Sequence, residues 1–153
     1  MTKPTTYRDA TGRFAPSLPA PHTGPAEPQR PTKIVSFGYR YGPAGQDPHD
    51  RTHLEIDLRP IFIQNPHRLP RLRPLTGLDT QVAADILKAP RFAASYTWLK
   101  HRIAAAVAVD GVTTVWLGCH GGRHRSVYVA DRLGREWGVA VEHRDLGKPH
   151  GGE

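Results

Sequence analysis

The sequence predicts an α/β fold, a mostly parallel sheet of about four strands in three layers with flanking helices. Three observations carry that expectation. Apolar runs of strand length, at 33–39, 54–58, 112–117 and 139–143, alternate with stretches whose apolar residues recur at helical spacing. The longest helical stretch separates the second run from the third, and a strand–helix–strand order makes a parallel pair. The third run leads into Gly118-Cys119-His120-Gly121-Gly122-Arg123-His124-Arg125-Ser126, with a helical pattern directly behind it. Strand, glycine turn and helix in that order place a ligand loop at the carboxyl end of such a sheet.

Each element has its own local reason. Residues 1–32 hold prolines at 4, 16, 19, 21, 25, 28 and 31 and few large apolar side chains. They bury too little to offset the entropy of ordering and read as a disordered Pro-rich leader, with Lys3, Arg8, Arg13 and Arg30 adding weak attraction for polyanions. The folded unit is expected at 33–146, and a loose tail at 147–153. In the first strand, Ile34, Val35 and Phe37 lead to Gly38, and a loop with Gly42, Pro43, Gly45, Asp47 and Pro48 follows. His49 and His53 stand four apart, a spacing that suits two metal ligands on a helix. The turn context and the want of a third ligand make them solvent-facing histidines.

At 54–58, Leu54, Ile56 and Leu58 alternate with Glu55 and Asp57, giving a strand with one polar side that ends at Arg59. The prolines of Arg68-Leu69-Pro70-Arg71-Leu72-Arg73-Pro74 stop a helix. Lying extended, this segment puts Arg71 and Arg73 on one side, while Leu69 and Leu72 pack inward. Asp79 or Thr80 caps a short helix, 80–88, that ends before Pro90. Phe92, Tyr96, Leu99, Ile103 and Val107 then form one helical stripe, so Tyr96 reads as core and Trp98 falls off the stripe. Asp110-Gly111 ends that helix, Gly138 ends the helix 126–137, and Val139, Val141 and His143 supply the last strand.

At 153 residues the chain allows one domain, and its single cysteine excludes an intramolecular disulfide. A formal charge of +7, with arginine making up 16 of the 21 basic residues, favours acidic partners. From Arg59 to Gly77 there are four arginines and no carboxylate. Neither a secretory leader nor a membrane-length apolar run is legible, so the expected location is cytoplasmic, with no membrane partner.

The glycine loop reads as an anion site. Gly121 and Gly122 let backbone amides approach a ligand, and the following helix directs its positive end at the same spot. Arg123, His124 and Arg125 cluster at that helix start, where positive charge is unfavourable unless an anion neutralises it. Zinc on Cys119, His120 and His124 is disfavoured by the adjacent guanidinium groups, and no metal is expected. Cys119, Gly122 and Arg125, with Ser126 behind, also match CxxGxxR of cysteine-dependent phosphatases, in which the thiolate attacks phosphorus and the arginine binds the equatorial oxygens. Against catalysis stand Gly118 in place of a histidine before the cysteine and the lack of an evident general acid, Asp57 and Asp79 being the only stand-ins.

The loop, together with Ile34-Val35-Ser36-Phe37-Gly38-Tyr39-Arg40-Tyr41-Gly42, Asn65-Pro66-His67 through Leu72-Arg73-Pro74-Leu75-Thr76-Gly77-Leu78-Asp79, and His143-Arg144-Asp145-Leu146, resembles the C-terminal domain of the RNase adapter protein RapZ family. The family's amino-terminal phosphate loop, GxxxxGK[ST], has no counterpart here, so ATP or GTP binding is not carried over and no cofactor is expected. The resemblance implies a non-catalytic module that binds small RNA and a phosphorylated amino sugar and presents RNA to a ribonuclease or another protein. A pure protein-interaction adapter with a vestigial pocket is a third reading, and self-association is left open. On this reading Arg59, which ends Asp57-Leu58-Arg59, His67, His120, Gly121, Gly122, Arg123, His124, Arg125 and Ser126 hold the anion. Arg68, Arg71, Arg73 and Arg123 hold RNA. Two departures from the family matter: His120 replaces a threonine, and 60–64 is longer than usual before Asn65.

Overall fold

The computed structural model describes residues 29–45, 49 and 51–149. Four parallel strands, β1 (Lys33–Gly38), β2 (His53–Asp57), β3 (Thr114–Cys119) and β4 (Ala140–His143), form one sheet in the order β2-β3-β1-β4. Three helices, α1 (Thr80–Leu87), α2 (Phe92–Asp110) and α3 (Arg125–Trp137), complete it. The α/β class and the parallel sheet are those expected from sequence. No helix of the described residues is long and apolar enough to cross a membrane.

The layers differ from expectation. Register puts Ile34 beside Val115, and Ile56 beside Leu117, on one sheet face. Those residues share a single buried cluster with Val82 and Ile86 of α1, Leu99 and Ile103 of α2, and Val129, Ala130 and Leu133 of α3. All three helices therefore cover the same face. Topology requires this, because the crossovers from β2 to β3 and from β3 to β4 advance across the sheet in the same sense, and right-handed crossovers then fall on one side. The third layer is loop. Tyr39 packs edge-on against Phe37, and Arg144 lies 5.0 Å from the Phe37 ring while donating to the carbonyls of Gly42 and Pro43.

Both ends of the fold lie further out than the sequence implied. Residues 1–28 of the expected leader are outside the described residues, but Arg30 donates to the carbonyl of Trp137 and the Thr32 amide to that of Thr113. Of the expected loose tail, 150–153 are outside the described residues. Lys148 bonds Asp145, and the Pro149 carbonyl accepts from the Tyr41 hydroxyl. Asp47 and Pro48 also lie outside the described residues.

The pivot of the second end is Asp145. Buried behind β1, it accepts from the Gly38 amide at 2.8 Å, from the Arg144 guanidinium and from Lys148 at 2.6 Å. Burial alone would raise its carboxyl, but the bonds from Arg144, Lys148 and Gly38 outweigh it and hold the group below its usual value. The folded state therefore gains stability from the ionised form above the usual carboxylate range and loses it as pH falls through the lowered value. Asp145→Ala is expected to cost about 3 kcal/mol in urea unfolding at pH 7 and much less at pH 3; equal losses at both pH values would contradict this.

Candidate functional site

The carboxyl ends of β1 and β3 point at one crevice. From β1 the chain leaves toward the loop-covered face, and from β3 it leaves toward the helices, so the crevice is the switch point of the sheet. The loop that closes it sits backbone against backbone. A Cβ on Gly38 would lie 2.4 Å from the Gly121 carbonyl carbon and 2.5 Å from the Gly122 nitrogen. Gly122 has φ +66°, the left-handed region, and its own Cβ would meet the Gly38 nitrogen at 2.5 Å. The His120 carbonyl accepts from the Arg40 amide at 3.0 Å, and the Gly118 carbonyl from the Leu58 amide at 2.8 Å.

A pocket of about 150 Å³ opens here, lined by Cys119, His120, Gly121, Arg123, His124 and Arg125 from the loop, by Asn65 and His67 from the segment after β2, and by Arg40 and Tyr41 after β1. His67 and His124, far apart in sequence, lie 6.2 Å apart between ring centroids. The floor is built from buried groups. Arg125 donates Nη1 to the Phe62 carbonyl at 2.9 Å and forms no ion pair among the described residues. Burial pushes its guanidinium below its usual value, an effect opposed by Cys119 and Asp57. Cys119 Sγ lies 3.1 Å from Ser126 Oγ beneath the floor.

Other expected site residues have different work. Gly122 and Ser126 lie behind the wall, the first against Gly38 and the second against Cys119. Arg59 shares the sheet end but does not line the pocket. Its guanidinium grips Asp57 at 2.7 and 2.9 Å and lies 4.2 Å from the Tyr39 ring centroid. The pairing holds the Asp57 carboxyl low. Arg123 donates to the carbonyls of Leu75 and Pro74, and His124 donates Nε2 to that of Leu72 at 3.0 Å, so both also fasten the 72–75 segment to the loop.

The arginine segment is not extended. Prolines 66 and 70 each start a 3-10 turn, Pro66–Arg68 and Pro70–Leu72, and Asn65 caps the first by accepting from the His67 amide. Leu72 is buried as expected, while Arg68, Arg71 and Arg73 are exposed. Arg73 donates Nε to the His67 carbonyl at 2.9 Å and so holds the imidazole-bearing turn, not a shared face with Arg71. Asp79 is the α1 N-cap, but its carboxylate reaches back to the Thr76 amide and hydroxyl. Tyr96 lies in the core, and Trp98 is exposed. No cluster of three or more His, Cys, Asp and Glu suited to a metal occurs among the described residues.

Arg40, Tyr41 and Asn65 were missing from the expected pocket. Their signal was present in the Gly-Tyr-Arg-Tyr-Gly block after β1 and the Asn-Pro-His block after β2, both at carboxyl ends of strands. Arg59 also stands at a strand end, but the Asp57 carboxylate two residues before it takes its guanidinium.

The pocket histidines give it a pH response. Burial lowers both His67 and His124 from the usual 6.5, with Arg73 and His120 adding to the effect at His67. The leading cause at His143 is likewise burial, and the direction is the same. The unfolded chain then binds more protons just below pH 6.5, so the ligand-free fold loses stability as pH falls through that region. A bound anion favours the charged rings and opposes the loss. Melting temperature followed from pH 7.5 to 5.5 is expected to fall in chloride and to fall less in phosphate; parallel curves would refute it.

A parallel α/β domain with a glycine-loop pocket at the carboxyl ends of its central strands defines the class. The RapZ C-terminal domain family model matches residues 31–147, and the chain belongs to that family. It is 36% identical over 142 residues to a nucleotide-binding protein of Streptomyces coelicolor, covering 86% of this chain and 45% of the relative. With a nucleotide-binding protein of Desulforudis audaxviator it shares 42% identity over 125 residues, or 74% of this chain and 40% of the relative. The chain thus spans less than half the length of these curated relatives.

Proposed function

We propose that the chain is a non-catalytic module that holds a phosphorylated small molecule in the loop pocket and RNA across the adjoining arginines. The observation that carries this is Arg125, a guanidinium in the pocket floor with no carboxylate partner among the described residues, beside the imidazoles of His67, His120 and His124 and the backbone of Gly121. A buried cation in that state is favourable when an anion completes it. The pocket volume suits a phosphoryl group and leaves most of an attached sugar at the mouth. Family membership supports an amino sugar phosphate as ligand, RNA as polymer partner, a ribonuclease or similar protein as recipient, and a cytoplasmic setting. Of the arginines named for RNA, Arg68 and Arg71 are exposed with no bond to spare them from solvent among the described residues, whereas Arg73 and Arg123 also brace the loops.

Calorimetric titration with inorganic phosphate and with a hexosamine phosphate tests the pocket. Binding that weakens in His67→Ala and Arg125→Gln is expected, and no binding by either ligand at millimolar concentration would overturn the reading. For RNA, affinity that does not fall with rising salt would remove the electrostatic contact.

The 3.1 Å contact of Cys119 Sγ with Ser126 Oγ favours a second reading, a cysteine-dependent phosphatase, because a hydroxyl there would stabilise a thiolate. The proton donor it needs is not supplied by Asp57, held ionised by Arg59, or by Asp79, engaged with Thr76. Aryl phosphate turnover abolished by Cys119→Ser would establish the enzyme; the expected result is no turnover.

A further inference from the structure

The pocket has a buried floor and an exposed rim. Cys119, His124 and Arg125 are 3, 6 and 7% exposed, and the groups behind them, Phe62, Leu72 and Ser126, are buried. One wall is fused to Gly38 with no room for a Cβ. The exposed lining residues are Arg40, His67 and His120, all on the outer side. An internal phosphodiester carries a chain on each of two ester oxygens and has only two oxygens left for the floor. A terminal phosphomonoester has one ester oxygen and can direct its other oxygens at the floor.

Outside the mouth, the next residue after His67 is Arg68, exposed and close enough for its charge to act on Arg125. Arg71, also exposed, follows on the second 3-10 turn. No carboxylate lies between Arg59 and Gly77 to answer these cations. A small sugar phosphate seated in the pocket has no second anionic group to offer them, whereas a nucleic acid strand leaving the mouth presents a phosphate at each step.

We infer that the pocket takes the terminal phosphomonoester of an RNA strand, whose following phosphates pass His67 onto Arg68 and Arg71. This rests on the phosphate-pocket reading above and names the polymer end as a ligand of that pocket. An internal phosphate, with one fewer free oxygen and less charge, is the poorer ligand for that floor. The basic turns add affinity without regard to sequence.

The test is fluorescence anisotropy of the full chain with one short single-stranded RNA in four forms: 5′-phosphate, 3′-phosphate, hydroxyl at both ends, and circular. One phosphorylated form is expected to bind about tenfold more tightly than the hydroxyl and circular forms, the scale of a charge-assisted hydrogen-bond set. The two phosphorylated arms tell which end is held. His67→Ala, at an exposed site that leaves the floor intact, is expected to remove the preference, and Arg68→Ala with Arg71→Ala to weaken all four forms alike and flatten the salt dependence. Equal affinity for all four forms overturns the inference. So does a preference that survives His67→Ala and Arg125→Gln. The phosphate-pocket reading fails separately, through the titrations with inorganic phosphate and hexosamine phosphate.

Discussion

Gly38→Ala is expected to lower stability by about 3 kcal/mol or more and to abolish phosphate binding together with it. The added methyl would stand 2.4 to 2.8 Å from backbone atoms of Gly121 and Gly122, which cannot swing aside as the end of a side chain can. Moving β1 away is equally costly, because the Gly38 amide is fixed on the buried Asp145 and β1 is bonded on both sides, to β3 and to β4. The loop would have to lift from the crevice, taking Gly121 and His120 out of the pocket wall. Gly45→Ala is the control, since a Cβ there meets nothing within 4 Å. Urea unfolding and phosphate titration of both variants decide the matter. A Gly38→Ala protein as stable as the control and still binding phosphate would show that the close packing of loop on strand is not what forms the pocket.

Much of this fold was legible because its signals are local. The alternation of Leu54, Glu55, Ile56 and Asp57, the stripe from Phe92 to Val107, and the glycines that end α2 and α3 each follow from period or capping. The missing helical layer was not legible. The side on which a helix packs depends on strand order, and strand order is a long-range property that the length and apolar pattern of each run do not carry. The 3-10 turns at 66–72 differ from the expected extended segment for a related reason. Their prolines are compatible with an extended chain and with the first position of a 3-10 turn, and the choice was made by Asn65 accepting from His67 and by Leu72 entering the core.

The site was legible as a set of residue types, less so as a division of labour. Arginine in a glycine loop signals an anion, yet only the fold separates Arg125, buried in the pocket floor, from Arg123, which clamps carbonyls of the 74–75 turn. Arg59 shows the same limit. A strand-end arginine is well placed for a ligand, but a carboxylate two residues earlier on the same side takes its fork first. Asp145 is the converse case. As one residue of a terminal motif it had no evident task, and it proves to tether the β1 end against which the loop is packed.

Arg125→Met is expected to separate binding from stability. Loss of a charge-assisted contact worth about 3 kcal/mol corresponds to binding weakened on the order of a hundredfold. The free protein, by contrast, is expected to unfold at nearly the same urea concentration. Its buried guanidinium is desolvated, which lowers its ionisation tendency, and among the described residues no carboxylate forms an ion pair with it. Methionine removes that desolvation cost and fills similar length, while the Phe62 carbonyl loses its donor. These two changes oppose each other and are of similar size. Phosphate should therefore raise the melting temperature of the wild-type chain and leave the Arg125→Met chain unmoved, although the two begin from comparable values. If the substitution instead unfolds the protein while the remaining fold still responds to phosphate, Arg125 is a structural brace for Phe62 and the anion is held elsewhere.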